Sequence, residues 1–316
     1  GPELEFFLLD RGADGAPAPP AYDRASYFDF STDRSVGVRQ AMVSALQAVG
    51  IEVNTSHHEV ASGQHEIDIG AASVLKAADD VVTLRYALKA VAQRFSVIAT
   101  FMPKPFDGKP GSGMHVHQSL SRAGDGGNLF SGPNDYGLTE LAEHFIAGQL
   151  HHAAGMCAVL APLVNSYKRL VRGFEAPIFV SWARTNRGAL IRVPHVGRQE
   201  ATRVELRSPD PSCNPYLAFA VMLRCGLDGV ERRLPLPAPV EESLYGFDDV
   251  ELERRNVGVL PDNLKDAVDA LRADTVVLDA LGDHLAERFI EAKTLEWRDY
   301  RGQVTQWELD QYLERF

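Results

Sequence analysis

The chain has 316 residues, 45% of them hydrophobic and 24% charged, a balance that suits a soluble globular protein with enough apolar sequence for a large core. Its formal net charge of -11, from 43 acidic and 32 basic side chains, argues against general nucleic-acid binding, because phosphate backbones need a basic face. Cys157, Cys213 and Cys225 are widely spaced and form neither a metal-type pair nor a disulfide framework, which fits a reducing cytoplasm.

In chain order, residue 1 is Gly rather than Met, so upstream sequence is expected to be missing. Positions 3–9 read as a strand, and a Gly/Pro/Ala loop follows over 12–20. Over 36–49, Val36, Met42, Val43, Leu46 and Val49 share a helical face that Gly50 terminates. Strands at 51–54 and 64–69 bracket the polar segment 55–63, and 77–94 is an amphipathic helix. Strands at 97–102 and 114–120 flank a Pro/Gly loop, and a long helix is predicted over 138–159. The region 165–194 reads as loops, 204–207 as a short strand, 216–226 as a buried helix, and the final quarter from Asn263 as acidic helix. The longest apolar stretch, 153–164, contains Gly155 and Pro162 and is too short to span a bilayer. No export signal opens the chain, and no repeat or linker divides it, so one mixed α+β domain over 1–316 is expected.

The chemistry concentrates in two sets of residues. Glu3 and Glu5, two apart on a strand, point to one face. His57-His58-Glu59 is followed by Glu66, His115 and His117 alternate on another strand, and Glu205 sits between Arg203 and Arg207. Any one of these alone would be an ordinary solvated face. Acids and a few imidazoles delivered from several strands suit hard divalent cations such as Mg²⁺ or Mn²⁺, and a shared cation gives clustered acids a reason to pack together. Arg169, Arg172, Arg184, Arg187, Arg192, Arg203 and Arg207 form the second set. Individually they could be surface ion pairs worth about 0–1 kcal/mol. Beside an acidic cluster they point instead to anionic substrates, since guanidinium forks grip carboxylate and phosphoryl oxygens. No Gly-x-x-x-x-Gly-Lys phosphate loop is present, so any nucleotide must be held through metals and arginines.

These strings resemble the glutamine synthetase family over nearly the whole chain. Gly1-Pro2-Glu3-Leu4-Glu5-Phe6-Phe7 resembles the first catalytic strand, and 54–66 is similar to the His-His-Glu-Val-x-x-Gly-Gln-x-Glu stretch. The segments 99–105 and 111–117 resemble the nucleotide and glutamate signature, 165–171 with 175–177 the central loop, and 203–207 with Asn214-Pro215-Tyr216 the closing motif. The short spacing from His57 to Glu66 resembles the type I, alpha branch. The resemblance implies an α+β fold, a curved antiparallel half-barrel sheet with flanking helices of the kind shared with guanidino kinases. It implies ATP as substrate with two to three Mg²⁺ or Mn²⁺ ions, and glutamate and ammonium joined through γ-glutamyl phosphate.

Residue by residue, it implies one metal held by Glu5, Glu59 and Glu66 and a second by Glu3, His115 and Glu205. Arg169, with the Gly111 backbone, would bind the glutamate α-carboxylate. Arg187 and Arg192 would face the transferring phosphoryl group, and Arg207 the reacting carboxylate. Glu175 would close the site and accept a proton, Tyr27 and Glu59 would form the ammonium pocket, and His117, Ser119, Arg187 and Arg203 would lie beside ATP. Pro110, Arg172 and Gly70-Ala71 depart from the family pattern, where Asn, Pro and an aromatic residue are common, and put substrate or nucleotide affinity in question. Tyr245 lies near a position that some relatives adenylylate; packing is the expected role here. The family has stacked hexameric rings and an N-terminal β-grasp domain of about a hundred residues. Without that domain the chain is expected to bind metal and nucleotide, turn over slowly and assemble weakly. A ligase for a polyamine or another amine is the nearest alternative, and a non-catalytic relative the more distant one.

Overall fold

The computed structural model describes the chain except residues 13–14, 21–22, 24, 28, 30–31 and 175, and the side chain of Gln199. Its elements in order are β1 (Pro2–Arg11), β2 (Pro17–Ala18), α1 (Val36–Ala48), β3 (Val53–His58), β4 (Gln64–Ile69), α2 (Val74–Arg94), β5 (Ile98–Thr100) and β6 (Met114–Gln118). Then follow α3 (Glu140–His151), α4 (Ala153–Leu160), α5 (Ser166–Arg169), β7 (Phe179–Ala183), β8 (Ala189–Arg192), β9 (Val204–Leu206) and α6 (Pro215–Arg232). The last quarter holds α7 (Asp249–Arg254), β10 (Gly258–Val259), α8 (Leu264–Ala273), α9 (Thr275–Leu281), α10 (Asp283–Arg301) and α11 (Gln306–Tyr312).

Alternation along β1 sets the architecture. Leu4, Phe6 and Leu8 are fully buried in the main core beneath the helices, while Glu3 and Glu5 point to the opposite face, where Phe7 and Leu9 join a small cluster with Ala61. Among the described residues the sheet has ten strands, ordered β10-β7-β8-β9-β6-β1-β4-β3, with β2 and β5 also pairing with β1. It is open and curved, with helices flanking it, in a mixed α+β arrangement. Every pairing is antiparallel except β7 with β8, which are parallel. β6 and β5 lie end to end along one edge of β1, opposite Glu3 and Phe7 respectively, and β4 takes the other edge.

The helical layer is fixed by close approaches. α3 and α6 cross where a Cβ on Gly148 would lie 2.2 Å from the Cys225 carbonyl oxygen, and one on Gly229 would lie 2.1 Å from that of His144. The single helix predicted over 138–159 is broken at His152, so it becomes α3 and α4. The His152 imidazole bridges Asp274 (2.7 Å) ahead of α9 and Asp228 (3.0 Å) on α6, which ties three helices at that break. The loop-rich reading of 165–194 missed α5, β7 and β8; β7 is buried along nearly its whole length, so its sequence lacks an apolar-polar alternation. α7 and β10 were also missed, and β3 extends through the segment 55–58 that reads as merely polar. No helix among the described residues is long and apolar enough to cross a membrane, and the three cysteines are free and buried.

Candidate active site

Strand register delivers the acids to one place. Glu5 lies opposite Glu66, and Glu3 lies opposite both Asp68 on β4 and His115 on β6. His57 on β3 pairs with Glu66, His117 on β6 with Glu205 on β9, and Glu205 in turn with Arg192 on β8. Cross-strand partners put their side chains on the same face, so β3, β4, β1, β6, β9 and β8 together present a row of ionisable groups. His115 Nδ1 lies 3.5 Å from Glu3 and 3.6 Å from Glu205, and His57 reaches Glu59 at 3.4 Å and Glu66 at 3.6 Å.

The row is electrostatically uneven. Glu205 is fully buried and held by Arg192 (2.5 Å) and Arg207 (2.6 Å); burial opposes its charge, but these cations with His115 and His117 bring its carboxyl down to about 2. Glu3 is likewise held well below the usual carboxylate range, since hydrogen bonds to His115 and His117 outweigh its burial. Glu5 behaves in the opposite way. Burial and the neighbouring Glu59 push its carboxyl up to about 8, although Gly113 N–H (2.9 Å) and the Gln64 amide (3.1 Å) both donate to it. Glu66 is pushed well up by burial, Glu5 and Glu59, and Asp68 is raised by burial and Glu3. Glu5, Glu59 and Glu66 therefore gather negative charge with too little positive charge to balance it. That imbalance, and an all-oxygen donor set with imidazoles at its margin, fit a divalent cation such as Mg²⁺ or Mn²⁺. Among the described residues, ligand atoms fall within 4.8 Å of one another in three sets here: His57, Glu59 and Glu66; Glu3, Glu66 and His115; and Glu3, His117 and Glu205.

A cavity of about 610 Å³ opens over the row, lined also by Arg169, Arg187, Arg192, Arg207, Tyr27 and Gly111. A second cavity of about 720 Å³ lies beyond His117, with Ser119, Arg203 and Ala71 among apolar residues that include Val116, Phe219 and Met222. The two adjoin, because His117 Nε2 touches Glu3 Oε1 (2.5 Å) on one side while Arg203 Nε donates to its Nδ1 (3.1 Å) on the other.

Comparison with known proteins shows the family of the chain. The family model for the glutamine synthetase catalytic domain matches residues 1–312. The glutamine synthetase of Thermus thermophilus is 50% identical over all of this chain, which covers 71% of that protein. The one from Thermotoga maritima is 47% identical over 99% of the chain and 71% of its own length. The chain belongs to the glutamine synthetase family. A solved structure described as a GmaS/ADP complex superposes with a TM-score of 0.89 at 37% identity, covering 99% of this chain and 72% of that one. Apo GmaS without ligand superposes with a TM-score of 0.87 at 38% identity, over 99% of this chain and 71% of that one.

The residues that the family resemblance singles out divide clearly in space. Glu3, Glu5, Glu59, Glu66, His115, Glu205, Arg169, Arg187, Arg192, Arg207, Gly111 and Tyr27 all line the first cavity. His117, Ser119 and Arg203 line the second, apart from Arg187. Glu175 lies outside the described residues. Arg169 is buried and donates to the Arg207 and Ser208 carbonyls, and its stem packs so closely on Gly111 that a Cβ there would lie 2.9 Å from its Cγ. Two arginines of the cluster lie elsewhere. Arg172 pairs with Asp249 (2.7 Å) on α7, and Arg184 lies over the Tyr136 ring. The Arg172 departure from the family pattern therefore touches neither cavity, whereas Pro110 lines the first and Ala71 the second. Tyr245 packs on Phe179 and donates to the Ala176 carbonyl (2.9 Å). Sequence reasoning missed Gln64 and Asp68, which share the face of Glu66; the alternation that joins Glu3 to Glu5 would have found them.

Proposed function

We propose that residues 1–316 are the catalytic domain of a glutamate–ammonia ligase that couples ATP cleavage to glutamine formation through γ-glutamyl phosphate. The observation that carries this reading is one cavity in which under-neutralised carboxylates face Arg169, Arg187, Arg192 and Arg207, beside a second, apolar cavity. The purine of ATP fits the apolar side, near His117, Ser119 and Arg203, with its phosphates directed past Glu3. Glu5, Glu59 and Glu66 would hold one divalent cation, and Glu3, His115 and Glu205 another. Bound there, such ions neutralise phosphate charge and polarise the phosphoryl group.

Arg169 fixes the glutamate α-carboxylate, and Arg207 orients the side-chain carboxylate. An oxygen of that carboxylate attacks the γ-phosphorus, ADP leaves, and Arg187 and Arg192 stabilise the transferring charge. Tyr27 and Glu59 hold ammonium, and a carboxylate takes its proton; ammonia then attacks the acyl carbon and phosphate departs. Glu175, matched by motif, is the proposed closing acid and proton acceptor. The same sheet face suits a larger amine, a reading favoured by Pro110 in the lining, whereas Tyr27 in that lining favours ammonia. Phosphate release from ATP with glutamate and Mg²⁺ decides between them. Stimulation by ammonium alone, abolished in Glu205→Ala, is expected; stimulation by a polyamine alone would transfer the assignment. Assembly into rings is proposed with the family reading, and sedimentation of the purified protein checks it.

A further inference from the structure

Behind the carboxylate row lies a buried polar chain that the reaction does not use. The Asp23 carboxylate accepts from His58 Nε2 at 2.9 and 3.0 Å and from the Gly63 and Ala25 backbone amides, while Ser62 Oγ donates to the Asp23 carbonyl (2.7 Å). His58 Nδ1 faces the Glu59 carbonyl. His58 pairs with His65 across β3 and β4, the rings 4.8 Å apart edge to face. His65 Nδ1 receives Arg39 Nη1 (3.1 Å), and Arg39 pairs with Asp33 (2.6 Å). Asp23, His58, His65, Arg39 and Asp33 are all buried.

Asp23, His58 and His65 bring ligand atoms within 4.8 Å of one another, yet they are poorly suited to a metal. Both His58 nitrogens face oxygen acceptors and so carry protons, and a donor on His65 Nδ1 leaves the proton on its Nε2. No imidazole there has a lone pair to offer. The contacts instead fasten the turn after β3 at both ends. Gly63 N–H meets Asp23, Gly63 carbonyl accepts from Leu8 N–H on β1 (2.8 Å), and a Cβ on Gly63 would lie 2.8 Å from the Leu8 carbonyl oxygen. Glu59 sits between His58 and that turn, and Tyr27 is four residues beyond Asp23.

We propose that Asp23 and His58 are positioning residues: a buried pin that joins the segment carrying Tyr27 to the β3–β4 turn and so sets where Glu59 and Glu66 stand for the divalent cation. The inference rests on the metal-holding role given above to Glu5, Glu59 and Glu66. The test is Mn²⁺ binding to the purified full-length protein, followed by the loss of the free-ion electron paramagnetic resonance signal. Asp23→Ala is expected to weaken one class of Mn²⁺ sites by about tenfold to a hundredfold and to leave the other class unchanged. Glu205→Ala should weaken the complementary class. If Asp23→Ala does not fold, His58→Gln carries the same expectation. Folded variants that bind Mn²⁺ in both classes like the unmodified protein would overturn the pin. Absence of Mn²⁺ binding by the unmodified protein would instead overturn the metal role of the carboxylates.

Discussion

Glu205 illustrates how much one side chain carries. It is fully buried, yet its charge is retained because two guanidiniums and two imidazoles surround it. Replacing it with Ala leaves Arg192 and Arg207 without the carboxylate that orients them, so on the proposed assignment the loss reaches both phosphoryl and glutamate contacts. We expect a drop in kcat of about a hundredfold to a thousandfold, read from glutamine formation at saturating ATP. Gly111 makes a narrower prediction. A methyl group there would lie 2.4 Å from the Pro103 carbonyl oxygen, which is backbone and cannot move aside. Gly111→Ala should therefore raise the KM for glutamate through Arg169 and cost about 1–3 kcal/mol in denaturant unfolding.

At the scale of elements, the His152 bridge and the α3–α6 crossing dominate. Burial alone would lower the His152 pKa, but its bonds to Asp274 and Asp228 raise it above 6.5, and both aspartates are depressed below 3.8 despite their burial. The raised imidazole contributes fully below about pH 6.5, and its contribution fades as pH rises through its folded value. The depressed aspartates contribute above about pH 3.8 and lose that contribution on acidification. His152→Leu should cost about 3 kcal/mol near pH 6 and less near pH 9, measured by urea unfolding at both. Gly148→Ala should lower the thermal midpoint, because the added methyl group meets the Cys225 carbonyl at 2.2 Å. The sequence made β1, β4, β6 and α2 legible because each has one consistent period. It concealed β7 and β8, buried along most of their length, and the break at His152, whose imidazole partners lie more than seventy residues away. The acid cluster was legible because Glu3 and Glu5 share a strand face. Asp23, joined to the site only by folding, carried no local signal.

Across the whole molecule, the carboxylate row links stability to pH and to divalent ions. Glu5, between about pH 4.5 and 8, and Glu66, above about pH 4.5, hold more protons in the fold than when unfolded, so their contribution to stability falls as pH rises. A cation binding the ionised acids removes that penalty. Thermal midpoints at about pH 5 and 8 should thus draw together when Mn²⁺ is added, and at a hundredfold excess over Kd the gain is about 2.7 kcal/mol. An unchanged midpoint at the higher pH would count against the metal assignment. The acids stand on β1, β4 and β9 or at the β3 turn, whereas Tyr27 lies between β2 and α1. On the proposed assignment, Glu59 serves both the cation and the amine, whereas Tyr27 serves the amine alone. A change of nucleophile is therefore best sought at Tyr27, around a retained Asp23 and Glu59, because that position leaves the carboxylate row in place.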